Sequence, residues 1–208
     1  YGPLALLAYE RQGQLLYVNE GVFGYGFRVC EKCGRIVGPK AYQCEAKISG
    51  QSCGGKPHKL MLGHLMQTDL LHLSFRSIAE VELPSPLERA FWLSLMYALL
   101  QGASRALQIE RRDLDGVLAP LAFEQTKWQQ TIALYDNVPG GAGHVKRIQD
   151  EFPRVVSEAL KIVSCIDCAP DTACYNCLRD YSNQTYHHLL ARGPVLRFLE
   201  VLRESIPA

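Results

Sequence analysis

Eight cysteines carry the strongest chemical signal in this sequence, and they fall into two groups: Cys30, Cys33, Cys44 and Cys53, then Cys165, Cys168, Cys174 and Cys177. More than a hundred cysteine-free residues separate the groups, whereas a secreted disulfide scaffold is usually a short chain stapled throughout. The pattern reads as metal binding in a reducing compartment. Cys165-Ile-Asp-Cys168 and Cys174-Tyr-Asn-Cys177 form a double C-x-x-C, in which each pair turns two thiolates toward one point. Four thiolates at about 2.3 Å complete a tetrahedron around zinc and leave no position for a reacting water. Such a centre is structural, not hydrolytic. An iron–sulfur cluster, a redox pair and free buried thiols are the rival readings. In the first group, Cys30-Glu-Lys-Cys33 is a zinc knuckle, with Gly34 allowing the turn behind it. Its other ligands are Cys53 with either Cys44 or His58, and the spacing leaves that choice open.

Charge narrows the range of partners. The 208 residues hold 22 basic and 21 acidic side chains, a formal net charge of +1. That balance excludes a strongly basic, free-standing nucleic-acid binder but not a local patch. One such patch runs from Arg28 to Lys59, where seven basic residues face only Glu31 and Glu45. Lys32, Arg35, Lys40 and Lys56 are the candidate phosphate contacts there, and Tyr25, Phe27 and Tyr42 lie close enough in sequence to stack on unpaired bases. Arg179, His187 and Arg192 are further candidates beside the second cysteine group. The longest uncharged apolar stretch, Ala90 to Ser104, is too short to span a bilayer, and no signal peptide is visible. The expected location is cytoplasmic, with no membrane partner.

Three weaker constellations need weighing. Gly50 to Pro57 nearly matches a phosphate-cradling loop, but Pro57 stands where a magnesium-binding hydroxyl is required, so nucleotide binding there is rejected. Pro139-Gly140-Gly141-Ala-Gly143 between a strand and a helix is either an anion site or a tight structural turn, with Asp136 beside it. Asp113, Asp115, Glu124 and Lys127 loosely resemble the acidic set of a metal-dependent nuclease, without its compact spacing.

These side chains need elements to position them. Leu4–Tyr9 and Gln14–Val18 around Arg11-Gln12-Gly13 read as a β-hairpin, and Phe23 to Phe27 as an irregular strand entering the first knuckle. Lys59–Phe75 reads as strands leading away from it. Ser85, Pro86 and Glu88 form a capping box opening a helix to about Leu107 that is apolar on most faces, hence central and buried. Strands are expected over Val117–Phe123 and Thr131–Tyr135, then a helix over Val145–Val163 kinked or split by Pro153. Two short helices, about Asn183–Ala191 and Pro194–Leu202, close the chain.

Taken together, Leu134-Tyr-Asp136-Asn-Val-Pro139-Gly-Gly-Ala-Gly143, the Cys165–Cys177 motif with Leu178, and Asn183-Gln184-x-x-His187 with Leu190-x-Arg192 resemble the mitomycin-repair-factor-A-like (MrfA-like) zinc-binding domain. The helix Ser94–Leu107 followed by Leu114-Asp-Gly116 fits the same pattern, so the resemblance covers roughly Lys59 to the C-terminus. Ala191 departs from the acidic residue expected before Arg192. The N-terminal knuckle looks more like that of DrmB, a component of the DISARM anti-phage system. The resemblance implies a zinc-stabilised accessory domain working with a superfamily 2 DNA helicase motor, in cis or in trans, in DNA repair or anti-phage defence. It implies Cys165, Cys168, Cys174 and Cys177 as zinc ligands. No motor motif is present in this chain, so it is expected not to be an enzyme. The expected fold is α+β, a mixed β-sheet packed on a central buried helix with two zinc knuckles. Residues 1–58 would form the hairpin and basic knuckle, and residues 59–208 the zinc-binding α+β domain. DNA, in single-stranded form, is the expected nucleic-acid partner. The rivals are a divalent-metal nuclease and a docking domain that never touches nucleic acid.

Overall fold

The computed structural model describes residues 4–21, 24–38, 40–48, 50–76, 85–119 and 128–206, with the side chains of 48, 76, 85–88 and 128–130 outside that description. The elements, in order, are β1 (Ala5–Asn19), β2 (Phe27–Cys30), β3 (Lys47–Ile48), β4 (Gln51–Ser52), β5 (Pro57–Leu60), β6 (Leu62–Arg76), α1 (Ser85–Leu107), β7 (Leu114–Ala119), β8 (Trp128–Asp136), α2 (His144–Asp150), α3 (Phe152–Val163) and α4 (Arg192–Ser205). The architecture is α+β. One four-stranded sheet has the order β1-β6-β8-β7, and two small ribbons pair β2 with β5 and β3 with β4.

The chain divides into two compact units, one formed by residues 1–13 with 67–208 and the other by 14–66, so the boundary falls within β1 and β6. In the larger unit β8 pairs antiparallel with both β6 and β7, placing Leu71 opposite Leu134 and Leu73 opposite Ile132. The inward side chains are aliphatic and fully buried. α1 lies against this sheet, and every residue from Phe91 to Leu100 is buried. Its nearly all-round apolar sequence matches that central place. Phe75, Phe91, Trp92 and Phe198 form an aromatic cluster with ring centroids 4.8 to 6.2 Å apart, joining β6, α1 and α4.

α1 also packs on α3. At their crossing, a Cβ on Gly102 would lie 2.7 Å from the Val155 carbonyl oxygen and 2.8 Å from the Ala159 nitrogen. The helices approach backbone to backbone, and only glycine fits between them. Glu151 interrupts what would otherwise be one helix, separating α2 from α3 just before Pro153, as the proline predicts.

Two expectations need correction. No hairpin forms around Arg11-Gln12-Gly13: β1 continues from Ala5 to Asn19. Gln12 takes φ 53°, and its N–H is received by the Asp69 carboxylate at 3.0 Å, so the polar tripeptide kinks one strand without reversing it. The segment Asn183–Ala191 holds only a 3₁₀ turn at Gln184–Tyr186, followed by turns, because side chains engage its backbone: the Asp180 carboxylate accepts from the Asn183 N–H, Arg179 donates to the His187 carbonyl and the Ser94 hydroxyl accepts from the Ala191 N–H. The side chains of Ser85, Pro86 and Glu88 lie outside the described residues, as do Phe23 and Pro120 to Lys127.

Gly102 yields a direct check. Glycine to alanine inside a helix ordinarily stabilises by about 0.5–1 kcal/mol, but here the added methyl meets immovable backbone, an overpacking cost of about 1–3 kcal/mol. Gly102→Ala should therefore lower the melting temperature; a rise would mean that α1 and α3 lie farther apart than described.

Candidate metal centres

The second cysteine group hangs from the end of α3. Val163 is the last helical residue, Cys165 follows one residue after the cap, and the loop returns through Cys174 and Cys177 to the buried Leu178. Sγ atoms lie 3.7 Å apart for Cys165 and Cys174, and 3.8 Å apart both for Cys168 and Cys177 and for Cys174 and Cys177. A tetrahedral ion with bonds of about 2.3 Å has an edge of about 3.8 Å. The thiols therefore already stand at the corners of a zinc tetrahedron. A cluster of several irons would spread its cysteines over different metal atoms and hold them farther apart.

The residues after this loop explain the motif that trails it. The buried Asn183 donates to the Leu178 carbonyl at 2.8 Å and accepts from the Asp180 N–H at 3.0 Å. His187 Nε2 reaches the Asn183 Oδ1 at 2.9 Å and the Asp180 carbonyl at 3.0 Å, with its ring edge-on to Tyr175. Arg192 spreads its guanidinium over the Cys168 carbonyl at 3.1 and 2.8 Å and the Val163 carbonyl at 3.3 Å. Next to it, the Gly193 N–H bonds the Pro170 carbonyl at 2.7 Å. The start of α4 is thus stapled to the metal loop. Arg179 turns inward as well, toward the Thr172 hydroxyl and the His187 carbonyl. The structure places Arg179, His187 and Arg192 in hydrogen bonds that brace the loop.

The first group belongs to the smaller unit. Cys30 ends β2, Cys33 follows on a turn, and Cys44 and Cys53 flank the β3–β4 ribbon. Sγ atoms lie 3.6 Å apart for Cys30 and Cys53 and for Cys33 and Cys44. All four ligand atoms in each group lie within 4.8 Å of one another. Of the two alternatives for the fourth ligand, the structure brings in Cys44. His58 instead bonds the Glu31 carboxylate at 2.9 Å, and Glu31 also receives the Lys56 N–H at 3.1 Å. Gly55, the second glycine of the phosphate-loop lookalike, is buried, and a Cβ there would lie 2.5 Å from Cys30 Sγ. That glycine makes room for a thiol, not for a phosphate.

Electrostatics agrees with a cation at each centre. Burial raises the Cys177 thiol to about 12. In Cys30, burial is outweighed by the N–H groups of Cys33 and Lys32 and by neighbouring thiols, which bring it down to about 7. One thiolate per group is favoured and its neighbours resist ionising beside it; a divalent cation removes that conflict.

The candidate anion turn is filled from within. Asp136, fully buried, accepts from the N–H groups of Ala142 at 2.5 Å, His144 at 3.1 Å and Val145 at 2.9 Å. The carboxylate occupies the donors that a phosphate would use. Gly143 takes φ 78° immediately before α2, and Gly141, at φ 76°, faces Asp69 with no space for a side chain. Asp113 and Asp115 are half-buried, with Asp115 Oδ1 accepting from the Gly116 N–H at 2.8 Å, and Glu124 and Lys127 lie outside the described residues.

Residues 95–178, which include the whole second cysteine group, match the family model of the MrfA Zn-binding domain. Over that segment the chain is similar to the MrfA Zn-binding domain. Zinc is its cofactor, and the two tetrathiol groups could hold two ions. The Druantia protein DruE of Escherichia coli (strain UMEA 4076-1) is 26% identical over 198 residues, covering 84% of this chain and 10% of that protein. The crystal structure of the DUF1998 helicase MrfA bound to DNA shares the fold with a TM-score of 0.55 at 15% identity, over 97% of this chain and 25% of the helicase. The chain thus spans a tenth to a quarter of these relatives. The matched segment ends at Leu178, so Asn183, His187 and Arg192 brace the domain from outside it.

The two centres differ in what surrounds them. Among the described residues of 14–66, only Cys30, Cys44, Gly55 and Met66 are buried, whereas the larger unit owns a full aliphatic core. Metal removal should therefore act locally. In hydrogen exchange, a strong chelator should expose the amides of β2 and β5 to rates near those of an unfolded chain, while α1 and α3 stay protected. Zinc analysis should give two equivalents, falling to one in Cys33→Ser, and affinity should weaken as pH falls, because protons compete for the thiolates. Full protection of β2 and β5 without metal would contradict this assignment.

Proposed function

We propose that this chain is a zinc-held accessory module of a superfamily 2 DNA helicase system, supplying DNA contacts and docking surfaces while the motor lies elsewhere, in cis or in trans. The observation that carries the reading is the saturated tetrathiol centre inside the MrfA-matched segment. Four thiolates leave zinc no open position, so the metal organises loops and does not activate water. The assigned ligands are Cys165, Cys168, Cys174 and Cys177 in one centre and Cys30, Cys33, Cys44 and Cys53 in the other. The domain itself is not an enzyme in this reading.

Defence against phage is the favoured setting over repair. It is supported by the similarity to the Druantia protein DruE. The nuclease reading has less support, since among the described residues the groups able to hold a metal are the two tetrathiol sets. No helix among the described residues is long and apolar enough to cross a membrane.

Titration of the zinc-loaded chain with DNA tests the reading. Affinity should fall steeply with salt and depend little on sequence, and added magnesium or manganese should produce no cleavage. Binding that is absent even at low salt would remove DNA contact, and metal-dependent cleavage abolished by Asp115→Asn would establish the nuclease instead.

A further inference from the structure

The first metal centre does more than close a loop. Beside it lies a depression of about 600 Å³ walled by Arg28, Lys40, Tyr42, Gln43, Lys56 and Pro57 among others. Three cations line it against one acid, Glu45. A second depression of about 410 Å³ shares Ala41, Gln43, Cys44 and Glu45 with the first and adds Arg35, so the two flank one short segment. No carboxylate pairs with Lys40 or Lys56 within 4 Å among the described residues. Glu31, the other acid of this stretch, is engaged by His58 and by the Lys56 backbone.

Tyr42 is 91% exposed, two residues before the ligand Cys44. Its neighbour Ala41 is held through its carbonyl by Arg28 Nη2 at 2.8 Å. An aromatic ring in water with its backbone fixed on both sides costs little further ordering when a flat partner stacks on it. Cations with a stacking ring suit a sugar-phosphate strand whose bases are unpaired. A duplex hides its base faces, and an acidic peptide has no use for the ring.

We infer that the groove of Arg28, Lys40, Tyr42 and Lys56 beside the first zinc centre binds single-stranded nucleic acid, the lysines meeting phosphates and Tyr42 stacking on a base. The inference rests on the DNA-associated reading above and adds its location and strand preference. These residues lie outside the segment matched to the MrfA Zn-binding domain.

The test uses the intact zinc-loaded chain and fluorescence anisotropy with a labelled oligothymidylate, a duplex of equal length, a single-stranded RNA and polyglutamate as competitor. Tyr42→Ala should weaken single-strand binding about tenfold, since a stacked base is worth about 1–3 kcal/mol, and leave the salt dependence unchanged. Lys40→Glu with Lys56→Glu should reduce the slope of log affinity against log salt by about 0.7 for each phosphate no longer neutralised. Equal affinity for RNA supports the groove, because neither interaction reads the sugar. Wild-type binding that both variants retain, with zinc content intact, overturns the groove and leaves the DNA-associated reading standing. Displacement by polyglutamate at equal charge, or preference for duplex, also overturns it. A wild-type chain that binds no nucleic acid removes both.

Discussion

Four sulfur atoms held at the edge length of a zinc tetrahedron are the constraint on which the rest depends. A protein without a metal keeps thiols apart or oxidises them; here eight thiols stand in two sets at 3.6 to 3.8 Å. In the larger unit this constraint is added to a core that is sufficient already, and it fixes how α3 ends and how α4 begins. In the smaller unit it replaces a core. The β2–β5 and β3–β4 ribbons are each too short to be stable alone, and an ion held by Cys30, Cys33, Cys44 and Cys53 would join their ends.

Around the second centre the chain uses charge-assisted hydrogen bonds to hold loop carbonyls that no helix or sheet satisfies. Arg192 is the chief case: one guanidinium covers two carbonyls on segments 29 and 24 residues away. A planar fork with several donors does this, and a lysine would not. The same logic closes the turn after β8, where Asp136 receives three backbone N–H groups at the start of α2 and makes that helix end self-sufficient.

Much of this was legible in the sequence. The cysteine spacing identified both centres, the apolar run from Phe91 to Leu107 identified the central helix, and Pro153 marked the break between α2 and α3. Other features were not, for physical reasons. Arg-Gln-Gly looks like a turn because its residues are polar, yet the deciding partner, Asp69, is 57 residues distant. The choice of Cys44 over His58 depended on Glu31 claiming the imidazole, which is a tertiary event. The bracing bonds of Arg179, His187 and Arg192 were hidden because local sequence shows their charge and not their carbonyl partners.

The sparse interior of residues 14–66 bears on descent. A fold specified by a packed core must conserve volume at dozens of positions, so kinship stays visible in its residues for a long time. A metal-held ribbon has to transmit only four thiols, a glycine such as Gly55 with no space for a methyl group, and the spacing between them. Every other position is at liberty to drift toward whatever the surface must recognise. The family match begins at residue 95, well past the first centre. That surface is the portion of the chain freest to acquire new specificity.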